Sequence, residues 1–146
     1  MKKRSKYKQG FFKPRNPEKY KGDPTNIVYR SSWELKFMSR LDLDPLVTNW
    51  SSEEMIIPYV SPIDNKVHRY FPDIWYKKNK QEYLVEIKPL AQTKPPIKKS
   101  RVTKKYYNEV MDWGRNEAKW KAAKIHCNKM GWKFEILTEI ELGIKR

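Results

Sequence analysis

The sequence predicts one α/β domain with a strongly basic N-terminal arm, and three observations point there. Apolar residues recur at helical spacing in two separated segments, 31–41 and 103–130. Short stretches rich in β-branched and aromatic residues lie between and after them, at 47–50, 55–59, 67–88 and 132–138. The 146 residues, 14% of them aromatic, can bury one modest core but not two.

Each element has its own signal. The arm, 1–24, is expected to be extended or flexible: residues 1–21 hold nine Lys or Arg against one acid, with Pro14 and Pro17 interspersed. Gly22-Asp23-Pro24 is a turn, and the folded domain is placed at 25–146. The first helix starts at Ser31 or Ser32 as N-cap and stops before Pro45. Two short strands and a hairpin over 67–88 follow, then the Pro-rich basic loop "PLAQTKPPIKKSR". The long second helix can bend at Gly114, and Gly131 suits its C-terminal cap. "WKFEILT" is a last strand, and Thr138 with Glu141 has capping-box spacing for a terminal helical turn.

Composition narrows the chemistry. Lys and Arg number 32 against 17 acids, a net charge of +15, which argues for a polyanionic partner, DNA above all. A single cysteine, Cys127, excludes a disulfide within the chain and an all-cysteine metal site, and two His are too few for a classical zinc site. No apolar run approaches the ~18 residues of a membrane span, and with a single cysteine a reducing, cytoplasmic setting is expected.

The hairpin carries the most specific signal. If Asn79-Lys80 form a two-residue turn, Lys77 faces Glu82, Tyr76 faces Tyr83, Trp75 faces Leu84 and Ile74 faces Val85. These are pairs that stabilise sheets. The same register sets Asp73 opposite Glu86, and alternation puts Lys88 on their face. Opposed carboxylates destabilise a sheet unless something offsets the repulsion. A divalent cation with hard-oxygen preference, Mg²⁺ or Mn²⁺, would do so. Lys88 would then position or deprotonate a water, or stabilise charge on a phosphate. The rival reading is a surface hairpin with ordinary salt bridges; Phe71, Trp75 and Leu84 on the same face argue against it.

Glu34 lies near the centre of the apolar face formed by Phe37, Met38 and Leu41 in the first helix. It either caps the helix, since Ser31 and Glu34 have capping-box spacing, or joins the carboxylate pair. The pair favours the second reading.

"FPD" (71–73), twelve residues, then "EIK" (86–88) resembles the PD-(D/E)xK nuclease motif. With "YRSSWELKFM", "HRYFPDIWY" and "LVEIKPL" the chain resembles the TnsA-type endonuclease branch. "WSSEEMIIPY", "VTKKYYNEVMDWGRNEAKWKAA" and "TEIELGIK" are similar to the head completion nucleases of T-even-type tailed phages, over nearly the whole chain from about Tyr7. The resemblance implies a restriction-endonuclease-like core, a mixed β-sheet flanked by helices, cleaving DNA with Mg²⁺ (Mn²⁺ substituting). It implies Asp73 and Glu86 as metal ligands with the Ile87 carbonyl, Lys88 as catalytic lysine, and Glu34 as a further ligand of a second ion or its waters. TnsA itself carries Gln at the position of Glu86, a variation within the wider motif. Capsid or portal proteins would be partners, in the host-cell cytoplasm or on the virion, with action around packaged DNA before tail attachment. The rival from another class is a structural head-completion protein that binds DNA and portal and keeps a vestigial site.

Other residues have smaller expected roles. The loop over 94–105 holds six Lys or Arg and no acid. Lys94, Lys98, Lys99, Arg101, Lys104 and Lys105, with Arg69, are expected to contact DNA phosphates. Trp113, Trp120, Tyr106 and Val110 are expected in the core, as is Cys127; His68 is expected at the surface, and Glu54 is an outside candidate for the site. No dimerisation element is evident, so a monomer is expected.

Overall fold

The computed structural model describes residues 9–98 and 100–144. Strands β1 (Gly10–Phe12) and β2 (Ile27–Tyr29) precede helix α1 (Ser32–Leu43), then β3 (Val47–Ser52), β4 (Ile57–Val60), β5 (Val67–Tyr70), β6 (Ile74–Lys78) and β7 (Gln81–Ile87). Helix α2 (Lys104–Met130), strand β8 (Lys133–Leu137) and helix α3 (Glu139–Leu142) complete the described chain.

A two-residue turn sets the centre of the fold. Asn79 and Lys80 both take left-handed conformations, φ 52° and 67°, the backbone a type I′ turn requires. Four of the pairs expected from that turn are present: Ile74 with Val85, Trp75 with Leu84, Tyr76 with Tyr83, and Lys77 with Glu82; the ladder stops before the fifth, Asp73 with Glu86. Tyr76 and Tyr83 stack at 4.6 Å. The expected Lys77–Glu82 ion pair is replaced, because the Glu82 carboxylate accepts from Trp132 Nε1 at 3.0 Å.

The hairpin is the middle of a four-stranded mixed sheet, ordered β3-β6-β7-β8. β3, β6 and β7 run antiparallel, while β7 and β8 are parallel. A parallel neighbour needs a long crossover, and α2 provides it. Both faces of the sheet are covered, which explains why its strands are apolar on both. Ile74, Val85 and Trp50 pack with Phe37, Met38 and Leu41 of α1; Trp75 and Leu84 pack with Trp120, Ala123 and Cys127 of α2. Val110 is exposed and Tyr106 stands outside both clusters, because the N-terminal part of α2 extends beyond the sheet they were expected to cover.

The expected caps are present: Ser31 accepts from the Glu34 N–H, and Gly131 closes α2 at φ 73°. Thr103, not expected as a cap, accepts from the Tyr106 N–H. Thr138 and Glu141 form a reciprocal capping box. Helix α2 runs without interruption through Gly114. Among the described residues no helix is long and apolar enough to cross a membrane.

Two further expectations need correction. The hairpin was expected from Val67, but β5 leaves it and pairs with β4 in a separate ribbon. Pro72 is the physical reason: it has no N–H to donate and its ring fixes φ, so the ladder cannot continue through Phe71-Pro72-Asp73. Phe71 is accordingly exposed rather than buried beside Trp75.

The second correction concerns the arm. Residues 9–24 are not flexible but built into the body, while residues 1–8 lie outside the described residues. β1 pairs with β2, and Phe12 and Tyr20 pack edge-on against the fully buried Trp50, with centroids at 5.7 and 4.8 Å. The basic residues here have structural work. Lys19 Nζ donates to the carbonyls of Leu41, Asp42 and Asp44, satisfying the end of α1 where a cation is favoured. Buried Asp42 accepts from the N–H groups of Arg15 and Asn16.

Candidate active site

The break at Pro72 that ends the ladder also delivers Asp73. The Asp73 carbonyl accepts from the Glu53 N–H at 3.1 Å, which extends the β3 pairing by one step. Its side chain turns to β7, where Oδ2 accepts from the Ile87 N–H at 2.7 Å. Asp73 is therefore not a ladder partner of Glu86, as the register alone implied. Its side chain occupies the position the ladder vacates.

Glu86 and Lys88 follow by strand alternation. Glu86 is buried; Lys88 Nζ lies 3.6 Å from Glu86 Oε2, and the Tyr70 hydroxyl donates to Glu86 Oε1. Lys88 is fixed by its own N–H, which donates to the Leu137 carbonyl at 2.9 Å. Asp73, Glu86, Ile87 and Lys88 line one cleft of about 540 Å³, together with Glu34, Arg30 and Gln92.

Glu34 satisfies part of both readings made of it. Oε2 accepts from the Arg30 N–H at 2.9 Å, one residue before the N-cap, so the side chain does reach back over the helix start. It also lines the same cleft as Asp73 and Glu86. Arg30 is held in turn by Glu53, at 2.9 and 3.1 Å from Nε, and Glu53 adopts φ 55°. Glu54 faces Tyr20 instead, with Oε1 3.5 Å from its hydroxyl, so Glu53 is the residue near the site.

The electrostatics show what the site lacks. Burial holds the Asp73 carboxyl well above the usual carboxylate range; Glu86 raises it further, and the Ile87 N–H opposes. Burial raises Glu86 too, against the Tyr70 hydroxyl, Lys88 and Lys119. Glu34 is also raised, by burial first, while the Arg30 N–H opposes. Three carboxyls disfavoured as anions at one cleft describe a site short of positive charge.

The donors fit a hard divalent cation. Asp73 and Glu86 offer carboxylate oxygens at the strand ends, the number Mg²⁺ commonly takes while keeping several waters. Among the described residues, no three His, Cys, Asp or Glu side chains are gathered into a ready-made cage, so water would complete the shell.

The described residues among those expected to meet DNA are exposed. Arg69 lies on β5 with its guanidinium 5.9 Å from the Phe71 ring centroid. Lys94, Lys98, Arg101, Lys104 and Lys105 are exposed and make no ion pair among the described residues. Lys99 lies outside the described residues. Lys94 lines a second cleft with Trp113 and Asn116, joined to the first through Gln92. His68 is a surface residue, 2.7 Å from Asp64. Sequence reasoning missed Tyr70, Arg30, Glu53 and Lys119. Tyr70 had a weak signal, a Tyr three residues before Asp73, but its role depends on the break at Pro72.

A mixed sheet between helices that delivers Asp, Glu and Lys from adjoining strand ends is a restriction-endonuclease-like α/β fold. Residues 44–139 match the family model for the TnsA-like endonuclease N-terminal domain, and the chain belongs to that family. The match covers Asp73, Glu86 and Lys88; Glu34 lies before it. The chain is also similar to the head completion nuclease of Enterobacteria phage T4, 45% identical over 135 residues, covering 89% of this chain and 90% of that protein.

Proposed function

We propose that this chain is a metal-dependent endodeoxyribonuclease that acts in phage head completion, around packaged DNA before tail attachment. The observation that carries the chemistry is the convergence of Asp73, Glu86 and Lys88 at one cleft, with Lys88 3.6 Å from Glu86. The phage setting rests on the similarity to the T4 protein named head completion nuclease.

Asp73 and Glu86 would hold Mg²⁺, with Mn²⁺ able to substitute; Ile87 would add its carbonyl, and Glu34 would bind a second ion or its waters. Held by these residues, the ion would supply charge neutralisation at the phosphoryl oxygens and a water made more nucleophilic at neutral pH. The protein does the rest by positioning. The Ile87 N–H fixes the orientation of Asp73, and the Tyr70 hydroxyl fixes Glu86. Lys88 projects its ammonium where it orients the attacking water and meets charge developing on the phosphate. The exposed basic residues supply sequence-independent backbone affinity for DNA. Capsid or portal proteins would bring the enzyme to its substrate, in the host cytoplasm or on the virion, with the enzyme acting as a monomer.

The test is nicking of supercoiled plasmid with Mg²⁺ or Mn²⁺. Wild type should cut, while Asp73→Ala, Lys88→Ala and wild type in EDTA should not. Equal behaviour of wild type and both variants would sink the nuclease reading in favour of a structural DNA- and portal-binding role.

A further inference from the structure

Lys119 is the one lysine on the C-terminal half of α2 drawn in from solvent. Lys121, Lys124 and Lys129 are exposed, whereas Lys119 is half-buried beside the core residue Trp120. Its ammonium lies 5.9 Å from the Tyr59 ring centroid and 5.8 Å from that of Tyr70. Tyr70 is the residue whose hydroxyl holds Glu86. The aromatic faces of the β4–β5 ribbon therefore fix a cation beside the active site.

Among the described residues no anion completes that cation. Among the described residues Lys119 makes no hydrogen bond and no ion pair. Burial lowers its pKa; Glu86 opposes, while Lys88 and Arg115 add to the lowering. A Met or Leu would pack the same helix face without this cost. The result is a cation oriented by two aromatic faces within electrostatic reach of Glu86, with hydrogen-bond donors to spare.

Accepting the endonuclease reading, we propose that Lys119 is a second substrate-contacting cation, binding a DNA backbone phosphate next to the phosphodiester served by Lys88. The ribbon would then have a purpose in the site: Tyr70 orients Glu86 with its hydroxyl and Lys119 with its ring.

The experiment is a titration of a labelled duplex oligonucleotide, in EDTA to prevent cleavage, across a range of salt. Wild type, Lys119→Met and Lys119→Arg are compared, and each variant is also melted. Each phosphate contact contributes about 0.9 to the slope of log affinity against log salt. Lys119→Met should bind about 5- to 10-fold more weakly with a slope shallower by about one contact. Lys119→Arg should keep the wild-type slope. The melting temperature of Lys119→Met should equal or exceed that of wild type, because an unpaired, half-buried charge has been removed. An unchanged slope and affinity in Lys119→Met overturns the proposal. A lower melting temperature with an unchanged slope assigns Lys119 to packing and overturns it equally. The binding readout needs no cleavage, so the two readings fail separately. A wild type that binds through Lys119 but never nicks plasmid refutes the nuclease alone.

Discussion

Asp73→Asn should stabilise the cation-free protein while abolishing its chemistry. Asn keeps an oxygen to accept from the Ile87 N–H, so the contact that orients residue 73 survives. What disappears is a negative charge that burial and Glu86 both penalise. Two unit charges ~4–8 Å apart repel by about 2–4 kcal/mol at an effective dielectric of 20. Lys88 offsets part of this, and halving the figure gives about 1–2 kcal/mol. For a chain of this size that is a rise of about 3–6 °C in the melting temperature.

The pH dependence has a definite sign. A carboxyl whose folded pKa lies above its unfolded value binds its proton more tightly when folded. The stability this confers is complete below the unfolded value, about 3.9 for Asp, and is lost as pH rises through the folded value. The variant should therefore exceed wild type most at neutral pH and match it near pH 3. Thermal unfolding in EDTA at several pH values reads this directly. Adding Mg²⁺ should then raise wild type and leave the variant unmoved. An Asp73→Asn protein less stable than wild type at neutral pH would refute the reasoning, because Asp73 would then be a satisfied structural anion.

Other residues give sharp expectations. Lys88→Met should slow nicking by about 10²–10³-fold with little effect on duplex affinity, since its proposed role is in the transition state; a large rise in Kd with unchanged single-turnover rate would reassign it to binding. Glu34→Gln keeps an acceptor for the Arg30 N–H but removes the charge. It should lose about 10- to 100-fold in nicking, as residues that support metal ligands do, with a melting temperature close to wild type; a silent variant would reduce Glu34 to its role at the helix start. Lys80→Gly should stabilise the protein by about 0.5–1 kcal/mol in denaturant titration, because Lys80 holds φ 67° in the hairpin turn. No gain there would mean that Lys80 bears its conformation without cost.

The hairpin was legible because its information is local. Asn79, the Tyr76–Tyr83 stack and strand alternation fix which residues face each other, and from these the shared face of Glu86 and Lys88 follows. The caps at Ser31, Gly131 and Thr138 were legible for the same reason. Tyr70 and Lys119 were not, because their meaning depends on two elements meeting in space. Tyr70 reaches Glu86 only because Pro72 breaks the chain away from β6, and Lys119 meets Tyr70 from a helix far along the sequence. The N-terminal segment misled through its charge. Its lysines and arginines read as a solvated arm, yet Lys19 caps α1, and Phe12 and Tyr20 close on Trp50.

The most direct test is a calorimetric titration of Mn²⁺ into wild type, Asp73→Asn and Glu86→Gln. The carboxylate pair as a cation site predicts saturable binding by wild type that both variants lose. Undiminished binding in both variants, or none by wild type in the presence of duplex DNA, would contradict it.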